Sequence, residues 1–109
     1  MKINAPMKQE QIISYTNIVT SLANMAIMQT EGASYGDIGT YKKTPRNVGV
    51  FIDAHTKTVI IDVYIDVVFG YNVSHVACNL QEEIIKQVKK NTPLTVKQVN
   101  INIISVIFN

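Results

Sequence analysis

Thr58-Val59-Ile60-Ile61-Asp62-Val63-Tyr64-Ile65-Asp66-Val67-Val68-Phe69 decides the fold. β-branched residues dominate this stretch, and they favour the pleated, half-buried backbone of a strand. The alternation has a period of two. Val59, Ile61, Val63, Ile65, Val67 and Phe69 line one face, and Thr58, Ile60, Asp62, Tyr64, Asp66 and Val68 line the other. The wholly apolar face must pack under helices. The face with two carboxylates is at least partly wet.

Just upstream, Val48–Asp53 reads as a strand and Ala54-His55-Thr56-Lys57 as the turn that folds it back onto the long strand. Downstream, Val73, Val76, Ala77, Leu80, Ile84 and Val88 trace one stripe of a helix from about Ser74 to Asn91. Ser74 is a candidate N-cap and Asn72 the alternative. Lys86, Lys89 and Lys90 crowd the end where the helix dipole favours positive charge. Pro93 closes that helix from outside. Leu94–Phe108 is a further strand, in which Val99, Ile101 and Ile103 alternate with Asn100 and Asn102. The alternation breaks at Ile103-Ile104, which predicts a bulge or burial of the strand end.

Toward the front, Ile12, Tyr15, Val19, Leu22, Ala23 and Ala26 recur at helical spacing from about Gln9 to Met28, with Ile18 and Met25 widening the stripe. Gly32 is a stop signal. Gly32–Asn47 is the one long irregular stretch, with Asp37–Tyr41 as a candidate short strand. The order helix, strand, strand, helix, strand predicts an α+β fold: a single domain over 1–109, with two helices packed on one face of a three-stranded mixed sheet in two layers. The last strand-helix-strand unit is right-handed if its strands are parallel.

Composition narrows the function. The chain has 109 residues, 47% of them hydrophobic and 17% charged, so it can hold a core unaided. The net charge of +2 does not call for nucleic acid. One cysteine, Cys78, excludes an internal disulfide or a multi-cysteine metal site. The first residues contain no apolar run of the kind a signal peptide needs. No uncharged apolar stretch reaches the roughly 18 residues of a membrane span. The expectation is a soluble cytoplasmic protein.

Catalytic chemistry finds little support. Asp62 and Asp66 share a strand face about 13 Å apart, whereas a retaining glycosidase pair needs about 5 Å. His55 falls in a turn and His75 in the first turn of a helix, without metal-ligand spacing. Cys78 and His75 lie three apart on that helix, but no acidic residue completes a nucleophilic site, and the default for Cys78 is a packed side chain. No Gly-rich phosphate cradle follows a strand, and Gly36-Asp37-Ile38-Gly39 lacks the helical context of an RNA-binding GxxG loop. These readings predict no enzyme, no metal and no cofactor. Two binding surfaces remain. Asp62, Tyr64, Asp66, Asn100 and Asn102 fall on the open sheet face if the long strands are neighbours, a surface for a protein partner. Lys42, Lys43 and Arg46, in the segment 41–46, are candidate anion contacts for nucleic acid or an anionic surface.

Three segments together carry a family resemblance: Gln29-Thr30-Glu31-Gly32-Ala33, then Val67-Val68-Phe69-Gly70-Tyr71-Asn72-Val73 with the helix Val76-Ala77-Cys78-Asn79-Leu80-Gln81-Glu82-Glu83-Ile84, then Thr92-Pro93-Leu94-Thr95-Val96-Lys97-Gln98-Val99-Asn100-Ile101-Asn102-Ile103. In order and spacing the chain resembles the alkaline shock protein family. The resemblance is strongest over Val48–Ile107. It implies a bacterial cytoplasmic protein linked to envelope stress or cell-envelope homeostasis. It also implies a non-catalytic interaction module, held in some members at the inner face of the membrane by a membrane-protein partner. The scaffold reading itself predicts protein partners and self-association, without direct membrane insertion.

Overall fold

The computed structural model describes residues 5–35 and 47–108. Its elements are α1 (Gln9–Gln29), β1 (Ala33–Tyr35), β2 (Val48–Asp53), β3 (Thr58–Val68), α2 (Val73–Asn91) and β4 (Thr95–Ile107). β3 is the axis of the sheet. β4 runs parallel to it along its whole length. On the opposite edge β2 pairs antiparallel with Thr58–Val63, and β1 pairs antiparallel with Ile65–Val67.

The α+β, two-layer architecture with a mixed sheet is therefore as the sequence predicts, but the sheet has four strands, not three. The extra strand, β1, lies end to end with β2 in one lane. At three residues it is too short to display an alternation. The candidate strand at Asp37–Tyr41 lies outside the described residues, as do Lys42, Lys43 and Arg46. Tyr35 pairs with Ile65 and Val48 with Val63, so the chain leaves the sheet edge and rejoins it at nearly the same place.

Val59, Ile61, Val63, Ile65 and Val67 have no exposed surface at all. Each contributes about 1.5–3 kcal/mol through removal of apolar area from water. Above them lie Val19, Ala23, Ala26 and Ile27 of α1 and Val76, Leu80, Ile84 and Val88 of α2, in one continuous core. On α1 the buried stripe continues to Ile27. Ile18 and Met25 are exposed, so they do not widen it as the spacing suggested. The small Ala23 and Ala26 let α1 sit close to its neighbours, and the wider stripe is not needed.

The ends are specified locally. The Asn72 side chain accepts from the His75 N–H at 3.0 Å and caps α2. The β2–β3 turn is held by Asp53, whose Oδ1 accepts from the N–H groups of His55 at 2.9 Å and Thr56 at 3.2 Å. Lys57 takes a positive φ of 57° to complete the reversal.

β4 contains two irregularities. The register slips between Val59 and Ile60 and again between Ile65 and Asp66, leaving Lys97 and Ile104 as the extra residues. The second is the bulge that Ile103-Ile104 predicts. The alternative, burial of the strand end, does not occur, because Ile103, Ile104 and Val106 are exposed. The first bulge explains why Val96 and Val99, three apart, both face the helices.

At the far end of β3 the chain passes from α1 into β1 through Gly32 and from β3 into α2 through Gly70. Both have positive φ, 87° and 102°. A Cβ on Gly32 would lie 2.7 Å from Tyr71 Cγ and 2.9 Å from Val76 Cγ2, whereas one on Gly70 would meet nothing. The Tyr71 hydroxyl donates to Glu31 Oε1 at 3.1 Å, and the Glu31 carboxylate raises the phenol above its ordinary pKa.

Gly70→Ala should cost about 1–2 kcal/mol, the strain of a left-handed L-residue. Gly32→Ala should add about 1–3 kcal/mol of overpacking against Tyr71. Equal urea midpoints for the two variants would contradict the close approach. The N–H groups of Thr56 and His55 hold the Asp53 carboxyl below its ordinary value of 3.8. Because the folded value is depressed, the stabilisation from Asp53 is present above the unfolded pKa and disappears as pH falls through the folded one. The stability gap between wild type and Asp53→Ala, read from urea unfolding at a series of pH values, should close in that acidic window.

Candidate functional site

Pairing of β3 with β4 turns alternate side chains of both strands away from the helices. The register sets Asp62 opposite Asn100, Tyr64 opposite Asn102 and Asp66 opposite Ser105. The predicted open-face residues thus do come together. They also bond to one another. Gln98 Nε2 donates to Asn100 Oδ1 at 2.8 Å, and Asn100 Nδ2 donates to Asp62 Oδ1 at 2.7 Å. This relay fixes the orientation of the Asn100 amide. Asn102 Nδ2 donates to the Val63 carbonyl at 3.2 Å, and the Ser105 hydroxyl donates to Asp66 Oδ1 at 2.8 Å.

Asp66 differs from the rest. It is only 4% exposed, so its carboxylate serves as a buried acceptor for Ser105 and offers little to a partner. It stands between Ser34 of β1 and Ser105 of β4, whereas the half-buried Asp62 stands between Gly49 of β2 and Asn100 of β4.

Phe51 belongs to this face, although the alternation of β3 and β4 does not point to it. It pairs with Ile60, on the side away from the helices, and its ring folds over Gly49, 3.4 Å from where a Cβ would stand. It is 58% exposed. The signal was available in Val48-Gly49-Val50-Phe51-Ile52. Alternation places Val48, Val50 and Ile52 on the core side and Phe51 on the other, beside a glycine that leaves room for its ring. Phe51 and Tyr64 flank a groove of about 650 Å³ that follows β2 to the polar side of α1 at Thr16, Asn17, Thr20 and Asn24. Asn47 also lines this groove, and its carbonyl accepts from the Tyr64 N–H at 2.8 Å.

The candidate catalytic groups are dispersed. Among the described residues no group of three or more His, Cys, Asp and Glu could hold a metal ion. Cys78 is exposed, not packed as its helical position suggested. Nor does it lack an acidic neighbour: its Sγ donates to Glu82 Oε1 at 3.6 Å, one helical turn on. The Glu82 charge, followed by that hydrogen bond, raises the thiol pKa. Such a thiol is protonated near neutrality and is a poor nucleophile. Among the described residues no helix is long and apolar enough to cross a membrane.

These features define a small α+β module with one face of its sheet left open and no assembled catalytic centre among the described residues. The chain belongs to the alkaline shock protein 23 family, described as having a cell envelope-related function, whose family model matches residues 5–108. The motifs quoted from the sequence thus point to the right family. The chain is also similar to the uncharacterized protein YqhY of Bacillus subtilis (strain 168), with 26% identity over 99 residues, covering 84% of this chain and 73% of that one. No solved structure matches. Two of the family-like segments, Gln29–Ala33 and Val67–Val73, meet in the fold, where Tyr71 packs over Gly32 and bonds to Glu31.

The thiol gives a direct check on this local electrostatics. Replacing Glu82 by Gln removes the charge that raises the Cys78 pKa, so alkylation by iodoacetamide at mildly alkaline pH should be faster in Glu82→Gln than in wild type. An unchanged rate would mean that the two side chains do not meet in solution.

Proposed function

We propose that this chain is a non-catalytic adaptor for the cell envelope, working from the cytoplasm and taking a protein partner on its open sheet face. The observation that carries the reading is the preorganised polar ladder beside the exposed Phe51 ring and the half-buried Tyr64 ring. Asp62, Asn100 and Gln98 are already bonded to one another, so docking a partner need not order them, and the conformational cost of binding falls. Phe51 and Tyr64 supply rigid apolar area next to that ladder, and aromatic residues are enriched among those that dominate binding energy. The contact set is therefore Phe51, Asp62, Tyr64, Asn100 and Asn102, with Asp66 as support beneath. The family's cell envelope-related function favours a partner anchored in the membrane.

The test is sedimentation of native lysate after nuclease treatment and a high-salt wash. The chain should stay with the membrane fraction through both. The double variant Phe51→Ala, Tyr64→Ala should lose that retention several-fold while keeping its helical circular dichroism. Release by nuclease or by salt would overturn the adaptor reading in favour of nucleic-acid or anionic-surface binding, the role the sequence offers for Lys42, Lys43 and Arg46. Retention unaffected by the double variant would remove this face from the interface.

A further inference from the structure

The outer edge of β4 is the longest unpaired strand edge among the described residues, since β4 bonds only to β3. Alternate residues of an edge strand turn their N–H and C=O groups outward. Which residues do so here follows from the bonds at β3. The Lys57 carbonyl accepts from Thr95 N–H and the Phe69 N–H donates to the Ile107 carbonyl, so odd residues of β3 face β4. With the bulge at Lys97, residues 98, 100 and 102 of β4 point inward, and Val99, Ile101 and Ile103 point outward. Gln81 of α2 agrees: its Nε2 donates to the Val99 carbonyl at 2.7 Å, a group that β3 leaves unused.

Proteins usually protect such an edge with lysine, proline, a bulge or a covering side chain. In β4 these devices flank the middle of the strand, the bulge at Ile104 lying beyond it. Lys97 occupies the first bulge, and Gln81 covers Val99. From Gln98 to Asn109 there is no charged residue and no proline. Ile101 and Ile103 keep their outward backbone groups, and Ile103, Ile104 and Val106 beside them are exposed. The opposite edge is blunted by division into strands of three and six residues.

We propose that this edge pairs with the same edge of a second copy, antiparallel, about a two-fold axis through Asn102. That register uses only the groups left free. Ile101 and the second copy's Ile103 form a hydrogen-bonded pair, and symmetry repeats it, giving four backbone hydrogen bonds. Side chains match as well. Ile101 meets Ile103 on the helix side, and Asn102 meets Asn102 on the open side. The occupant is a second copy because a strand with no charge presents no like-charge repulsion to itself, and because its alternation sets apolar against apolar and amide against amide. The product is one continuous sheet with four helices on one side and two open faces, side by side, on the other. The pairing does not depend on what the open face binds.

The test is the mass of the full chain under reducing conditions, by light scattering across a concentration series. Wild type should approach twice the chain mass of 12.2 kDa. Ile103→Lys, which sets a charge on the edge, should stay at the single-chain mass. Ile103→Pro should do the same by removing one outward N–H, a change an edge strand tolerates. Phe51→Lys, on the other edge, should still dimerise. Should the Ile103 variants fail to fold, a second measurement decides. The two-fold puts the two Asn102 Cα atoms about 4.5 Å apart, within disulfide range. The double variant Cys78→Ser, Asn102→Cys should therefore form an oxidised dimer, and Cys78→Ser, Phe51→Cys should not. A wild-type chain that stays single at every concentration overturns the proposal. A dimer that survives Ile103→Lys overturns it too, as does a failure of the Asn102→Cys chain to cross-link. None of these outcomes bears on retention at the membrane, which reads the open face instead.

Discussion

β3 must have a neighbour on both edges and helices over one face, and the other elements are arranged around that need. Five aliphatic side chains of the strand are wholly buried. A buried strand cannot leave its own N–H and C=O groups unpaired without a cost comparable to a lost hydrogen bond for each. β4 meets this need on one edge over the whole strand. On the other edge it takes two short strands in line, with the Tyr64 N–H between them donating to the Asn47 carbonyl. The connection through α2 is what makes β4 parallel, and the same helix supplies half the roof of the core.

The open face follows from that arrangement. With both helices on one side, the other side of β3 and β4 has no cover among the described residues, and Asp62 and Asp66 are satisfied across the strand pair. Asp62 with Asn100 and Asp66 with Ser105 are cross-strand pairs at matched register positions. The bulge at Ile104 is what brings Ser105 opposite Asp66. Without it, parity would set Ile104 on the polar face and turn Ser105 toward the helices. One extra residue thus decides whether the Asp66 carboxylate finds a hydroxyl donor. The same bulge ends the run of outward backbone groups at Ile103, so it also bounds the stretch of edge open to pairing.

Much of the candidate site was legible in the chain because strands carry a period of two. The five residues named from alternation alone do share one face. The pattern could not rank them by exposure. Asp62 and Asp66 look equivalent in sequence, yet Asp66 is buried and Asp62 only half-buried. Phe51 is easily passed over because a lone aromatic in an apolar strand reads as core, although the alternation of Val48, Val50 and Ile52 sets it on the other side. Cys78 misleads for the converse reason: a small apolar residue next to a buried stripe is at the boundary, and a rotation of one position on a helix is enough to expose it.

Local patterns in the chain were sufficient for the element types, the buried face of β3 as far as Val67, the stripe of α2 from Val76 onward, the hairpin between β2 and β3, and the disturbance at Ile103-Ile104, whereas Phe69 and Val73, which the same periods set on the buried side, are exposed. These are properties written in spacing, capping and turn chemistry within a few residues. The fourth strand and the shared lane of β1 and β2 emerged from the folded arrangement alone. So did the packing of Tyr71 over Gly32 and the unguarded outer edge of β4. Each of these depends on residues tens of positions apart meeting in space, and pairing between distant segments is set by how the whole core closes, which no local pattern encodes.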